Sequence, residues 1–266
     1  MPLLLVYAAV IAYFAAAAWQ ARALADDARG ATRLPAGLAL LGAAAHAGSH
    51  LTAWHAGGGP DMHFFAALSL ISLGTAALTA ELSLSRPIGA LGVVVYPLAA
   101  LLLLLYHHGT VPATTAVMGW QIQLHAWLSL LAYAALSLAA LLAVMLWAQE
   151  RGLRQRRLGR LLQVFPPLTL IEALMFRLVG AGFALLTLSL LTGVVFVENL
   201  FAQHLVHKTV LSLLAWVVFG VLLLGRVRYG WRGRRAVRLT LVAMALLGLG
   251  FFGSKFVLEL ILARGA

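Results

Sequence analysis

The chain has 266 residues, 63% of them hydrophobic and only 10% charged, with a mean hydropathy of +0.96. So apolar a composition excludes a soluble globular protein. Crossing a hydrocarbon core takes about 20 apolar residues per helix, so the length holds roughly eight spans and leaves no room for a separate soluble domain. Nineteen Lys and Arg stand against eight Asp and Glu; because these charges sit between apolar runs, they read as topology signals and contacts to anionic lipid, not as a nucleic-acid surface.

In chain order the apolar runs fall at about residues 3–20, 36–55, 63–82, 88–106, 122–148, 178–198, 205–225 and 236–262. The expected architecture is therefore all-α: one polytopic transmembrane domain over residues 1–266 with about eight helices. No Lys or Arg precedes the first run, so it reads as a first spanning helix and not as a cleavable signal peptide. Pro87, between the third and fourth runs, suits a helix start because its missing N–H would be unpaired there. The longest connection, about 149–177, contains Pro166-Pro167; these are expected to break a basic helix, after which Leu168–Glu172 restarts as an interfacial segment with Arg177 snorkelling.

Basic residues sort by alternate connections. Arg22, Arg29 and Arg33 lie in the first, Arg86 in the third, Arg151, Arg154, Arg156, Arg157, Arg160 and Arg177 in or beside the fifth, and Arg226, Arg228, Arg232, Arg234, Arg235 and Arg238 in the seventh. Lys208, Lys255 and Arg264 fall toward the other face. The positive-inside bias then places both termini outside the cytoplasm of a bacterial inner membrane. Trp54, Trp120 and Trp127 near one boundary, and Trp19, Trp147 and Trp231 near the other, form aromatic belts.

Histidines carry the chemical signal. His50, His55, His63, His107, His108, His125, His204 and His207 map to the outer half of this topology, and His46 lies deeper within the second run. Imidazole can bind heme iron, copper or zinc, or relay protons near neutral pH. His46 and His50 are four apart and share a helical face, as do His204 and His207 at a spacing of three. Carboxylates are scarce, and neither a nucleophile elbow nor a phosphate-binding glycine loop appears, which excludes ordinary hydrolase chemistry. With no cysteine in the chain, disulfides, thiolate metal sites and covalent heme attachment to this chain are excluded as well.

Leu124-His125-Ala126-Trp127-Leu128-Ser129-Leu130-Leu131-Ala132-Tyr133 resembles the histidine-bearing helix start of the cytochrome c assembly proteins of the CcsA/CcmC type. Ile171-Glu172-Ala173-Leu174-Met175-Phe176-Arg177 with Gly182-Phe183-Ala184-Leu185-Leu186-Thr187, and His207-Lys208-Thr209 with Leu214-Ala215-Trp216, are similar to later segments of that family. The likeness is best over about 120–262 and nearest the HemX/YpjD-like branch, partly through Gly230-Trp231-Arg232-Gly233-Arg234-Arg235. It implies a heme-handling assembly or transport factor, more than an enzyme, that binds b-type heme non-covalently. His125 is then the leading axial ligand to the iron, with His207 or His46 as its partner and His50 and His204 in reserve. Membrane lipid, heme and another cytochrome c maturation protein are the implied partners. The family's tryptophan-rich heme-presenting loop has no counterpart between Glu198 and His207, and Gly253-Ser254-Lys255-Phe256 stands where synthetase members carry another histidine. A histidine-based proton- or metal-coupled transporter and a non-catalytic regulatory or scaffold protein are the alternatives.

Overall fold

The computed structural model describes residues 2–25, 33–109, 119–155, 166–196 and 206–253. These residues form eight α-helices and no strand: α1 Pro2–Ala25, α2 Arg33–Gly57, α3 Phe64–Ser85, α4 Gly92–His108, α5 Trp120–Arg154, α6 Leu168–Phe196, α7 Val206–Tyr229 and α8 Arg234–Gly248. Helix is the only element that satisfies every backbone N–H and C=O of a single segment inside hydrocarbon, so long apolar runs have little choice. Six of the helices are long and apolar enough to cross a membrane, and the chain is a multi-pass helical membrane protein. The other two are α2, whose apolar run is interrupted by His46, Ser49, His50, Thr52 and His55, and α8, which has 15 residues before a five-residue π turn at Leu249–Gly253. The rest of the final apolar run lies outside the described residues.

Three local expectations are corrected. Pro87 does not open α4: α3 ends on Arg86, whose N–H bonds the Leu82 carbonyl, and a 3-10 turn at Gly89–Leu91 leads into α4. Gly89 lies where a Cβ would run into the Gln20 side chain, so α1 closes over that turn. Second, Leu168–Glu172 is not a separate segment but the opening of one continuous 29-residue helix that runs to Phe196. Third, the basic helix expected at the start of the fifth connection is not separate but the end of α5, which runs on to Arg154. A hydropathy criterion stops at a charge; a helix does not, provided the charge has a partner or reaches the headgroups.

The helices gather into two compact units, Met1–Val117 with Arg151–Pro167, and Met118–Glu150 with Leu168–Ala266. In the first unit α1 packs on α2 and α4, and α3 packs on α2 and α4, so the four helices form a closed ring. Alanine makes this possible: Ala9, Ala39, Ala66, Ala76, Ala80 and Ala100 are fully buried. Without a hydrophobic force between helices in lipid, small residues that allow close backbone approach are what bring dispersion contacts within range. Gly42 belongs to the same set, since a Cβ there would come 3.1 Å from the Tyr13 ring.

In the second unit α7 packs on α6 and α8. Helix α5 meets α6 where Gly182 faces Leu136, and it reaches the end of α8 through the Tyr133 hydroxyl, which donates to the Leu247 carbonyl at 2.7 Å. Gly230 ends α7 with φ +64, a conformation that costs glycine least. The Gly230 N–H bonds the Arg226 carbonyl, the single bond of an αL C-cap, and the Trp231 N–H reaches back to the Gly225 carbonyl.

Candidate functional site

His125 lies in the second turn of α5, half-buried against α6. Its Nδ1–H donates to the Ser189 carbonyl at 2.8 Å, with Thr192 Oγ1 at 3.3 Å. Gly193 makes room for the ring: a Cβ there would stand 3.1 Å from His125 Cε1. Ser129 and Ser189 join hydroxyls at 2.7 Å one turn further along, so the crossing is polar as well as close. A carbonyl can only accept, so the proton is fixed on Nδ1 and the lone pair sits on Nε2. That is the tautomer in which a metal-binding imidazole is held.

The first unit holds the other described histidine cluster. His46 and His50 stack at 5.5 Å, as their spacing of four predicts, and both Nε2 atoms meet Ser69 Oγ, at 2.8 and 3.0 Å. His46 Nδ1 faces the Tyr13 hydroxyl at 3.4 Å. Both histidines are wholly buried. His50 also stacks on Tyr106 at 4.3 Å, and His63 leans on the same ring at 5.7 Å. His63 Nδ1–H donates to Asp61 Oδ1 at 2.7 Å, and its backbone N–H bonds the same oxygen at 3.1 Å. Burial pushes the Asp61 carboxyl upward, but these hydrogen bonds outweigh it and hold the group below the usual carboxylate range. Among the described residues two buried imidazole nitrogens have no hydrogen-bond partner, His50 Nδ1 and His63 Nε2.

Of the five histidines singled out from the sequence, the structure brings His46 and His50 together and places His125 in the other unit. His207 lies in the first turn of α7, and His204 falls outside the described residues. No group of three or more His, Asp or Glu that could hold a metal ion occurs among the described residues. His46 has both ring nitrogens engaged, so an iron would have to displace Tyr13 or Ser69; His125 has Nε2 available without any such change.

One site was missed by reading along the chain. Glu172, in the second turn of α6, accepts from Arg226 at 2.8 Å and from Arg232 at 2.9 Å. Arg226 also lies over the Phe176 ring at 4.6 Å and donates to the Trp231 carbonyl at 3.2 Å. The basic run at 230–235 therefore meets an acid of its own chain. A carboxylate in the fifth connection and a cluster of arginines in the seventh were the only hints, and the 54 residues between Glu172 and Arg226 hide the pairing.

A ring of four alanine-lined helices with buried imidazoles, and a second unit with the His125 imidazole held by a backbone carbonyl, make up a multi-pass helical membrane protein. The chain belongs to the cytochrome C assembly protein family, whose model matches residues 2–262. The match includes the first four helices as well as the segment where the likeness is plainest by eye. Over 137 residues the chain is 43% identical to Inner membrane protein YpjD of Escherichia coli (strain K12), covering 52% of each. It is 29% identical over 91 residues to Cytochrome c biogenesis protein CcsA of Gloeobacter violaceus, covering 34% of this chain and 27% of that protein. With the protein of that same name from Chlamydomonas reinhardtii it shares 23% identity over 153 residues, 56% of this chain and 41% of the other. The chain spans about half the length of the curated YpjD relatives it matches. No solved structure matches it.

Proposed function

We propose that the protein is a heme-handling factor of the bacterial inner membrane that serves cytochrome c assembly, and that His125 is its axial ligand. Membership of the assembly family and the likeness to CcsA proteins support the role. The observation that carries the site is the Nδ1–H bond from His125 to the Ser189 carbonyl. It orients the ring along α6, raises the basicity of Nε2 and leaves that atom to bind. Gly193 leaves room for the ring beside that carbonyl. Heme, if bound, would supply an iron that the His125 imidazole could ligate. The chain contributes the ligand, its orientation and apolar surroundings that exclude water.

Because the chain has no cysteine, it holds heme without a covalent bond, and a separate maturation protein completes attachment to an apocytochrome. Protein purified in mild detergent should show a Soret band with redox-sensitive α and β bands. His125→Ala should lower occupancy or shift the spectrum toward high spin, and Ser189→Ala, which keeps the carbonyl, should not. A spectrum unchanged in position and intensity in His125→Ala would reject the ligand assignment.

A further inference from the structure

The ring nitrogens of His125 and His63 each have a fixed role. In both, Nδ1 faces an oxygen that can only accept, the Ser189 carbonyl or the Asp61 carboxylate, so the N–H must be there. His46 and His50 are different. Their partners are the hydroxyls of Tyr13 and Ser69, which both donate and accept. Ser69 has one hydroxyl proton and two imidazoles to serve.

Two complete hydrogen-bond orders satisfy these four side chains. In one, Tyr13 O–H donates to His46 Nδ1, His46 Nε2–H to Ser69 Oγ, and Ser69 O–H to His50 Nε2, with the second N–H of the pair on His50 Nδ1. In the other, His50 Nε2–H donates to Ser69 Oγ, Ser69 O–H to His46 Nε2, and His46 Nδ1–H to the Tyr13 oxygen. The two differ at the buried atom that has no partner: His50 Nδ1 is N–H in the first and a bare lone pair in the second. Buried polar atoms without a hydrogen-bond partner are uncommon, so this one calls for an explanation.

We propose that Tyr13, His46, Ser69 and His50 form a proton relay through the first unit, with His50 Nδ1 as one terminus. Passing from the first order to the second breaks the His50 Nδ1–H bond and releases that proton. The Ser69 proton moves to His50 Nε2, the His46 Nε2 proton to Ser69, and the Tyr13 proton to His46 Nδ1, while the Tyr13 oxygen takes up one proton. One proton enters at the Tyr13 oxygen and one leaves from His50 Nδ1, and no net charge stays in the bundle; both ends are buried in this structure, so the donor and the acceptor are water molecules that enter when the helices part.

Surroundings at both ends suit this. Beside His50, the Tyr106 ring and the Asp61–His63 pair stand at the connection between α2 and α3. Beyond Tyr13, the Tyr96 ring stacks at 6.2 Å and its hydroxyl lies beside Ser83. Ser69, Ser72, Thr75, Thr79 and Ser83 recur at three and four residues along α3, and all but Ser83 are buried. From Ser69 to Ser83 this hydroxyl stripe is about 21 Å long at 1.5 Å per residue. The last four donate to carbonyls one turn back, which leaves their oxygens to accept. Tyr96, Tyr106, Asp61 and His63 are the titratable groups that face the relay from the elements around it.

The full-length protein in lipid bilayers, labelled with 15N in the imidazole rings, tests this by NMR. His46 and His50, assigned by single His→Gln variants, should each populate both neutral tautomers, while His63 and His125 show only the Nδ1–H form. Ser69→Ala should collapse His46 and His50 to one tautomer each, and Ser69→Thr, which keeps the hydroxyl, should preserve the mixture. The fixed His63 and His125 signals report that each variant is folded. A single tautomer at His46 and at His50 in the unsubstituted protein, or a mixture indifferent to Ser69→Ala, would overturn the relay.

Discussion

At the scale of single residues, Glu172 shows how a charge is held inside a largely apolar helix. Its carboxylate is nearly buried, and both arginines that meet it keep part of their guanidinium in solvent, Arg232 with 60% of its side chain exposed. Two charge-assisted bonds converge on one oxygen, Oε1. Removing the charge while keeping the shape leaves Arg226 facing a neutral amide beside Phe176, so Glu172→Gln should destabilise by about 1–3 kcal/mol. Chemical unfolding of detergent-solubilised protein measures this. Arg232→Ala should cost clearly less, because an exposed partner contributes little. Equal losses in the two variants would show that the carboxylate does not depend chiefly on Arg226.

Between elements, close packing decides more than polarity does. Gly182 of α6 faces α5 so tightly that a Cβ would lie 2.6 Å from Leu136 Cγ, and Leu136 is itself fully buried. Gly182→Ala therefore overpacks the crossing, at a cost of about 1–3 kcal/mol. Gly180 has open space at the same position, so Gly180→Ala should be neutral or slightly stabilising through helix propensity. Thermal unfolding of the two variants side by side would settle it, and equal melting temperatures would contradict the packing described. Neither glycine looks different in the sequence. What the sequence does disclose is whatever the bilayer imposes: helices wherever apolar runs are long, and the shared face of His46 and His50 through their spacing of four. It does not disclose contacts between distant segments. Ser69 is one serine among several on α3, and only the fold reveals that two imidazoles meet there. His125 was legible as a helix-start histidine, but its tautomer depends on a carbonyl 64 residues away. The apolar runs stop short of the helix ends at Ser85, Arg154 and Leu168 for a common reason, since charged or polar residues end an apolar run without ending a helix.

For the whole molecule the question is sidedness, and charge and geometry bear on it separately. Twelve of the nineteen basic residues lie within 149–177 and 226–238, which under the positive-inside bias places both segments in the cytoplasm. Independently, Glu172 near the start of α6 bonds Arg226 near the end of α7, and a Cβ on Gly233 would stand 3.0 Å from the Glu150 carboxylate. The end of α5, the start of α6 and the connection from α7 to α8 therefore emerge together, whatever the orientation. The chain contains no cysteine, so single-cysteine variants need no prior substitutions. Gly58 and Gly233 are poor positions for this purpose, with φ of +80 and +55. Ala56, Gln155 and Tyr229 are exposed and leave the count of basic residues unchanged. In spheroplasts, a membrane-impermeant maleimide should label Ala56→Cys directly, and Gln155→Cys and Tyr229→Cys only after the membrane is permeabilised. The opposite pattern would reverse the orientation and show that the arginines do not set it. Labelling of Gln155→Cys and Tyr229→Cys from different sides would contradict the fold itself, because the Glu150 and Glu172 contacts require both to lie on one face of the membrane.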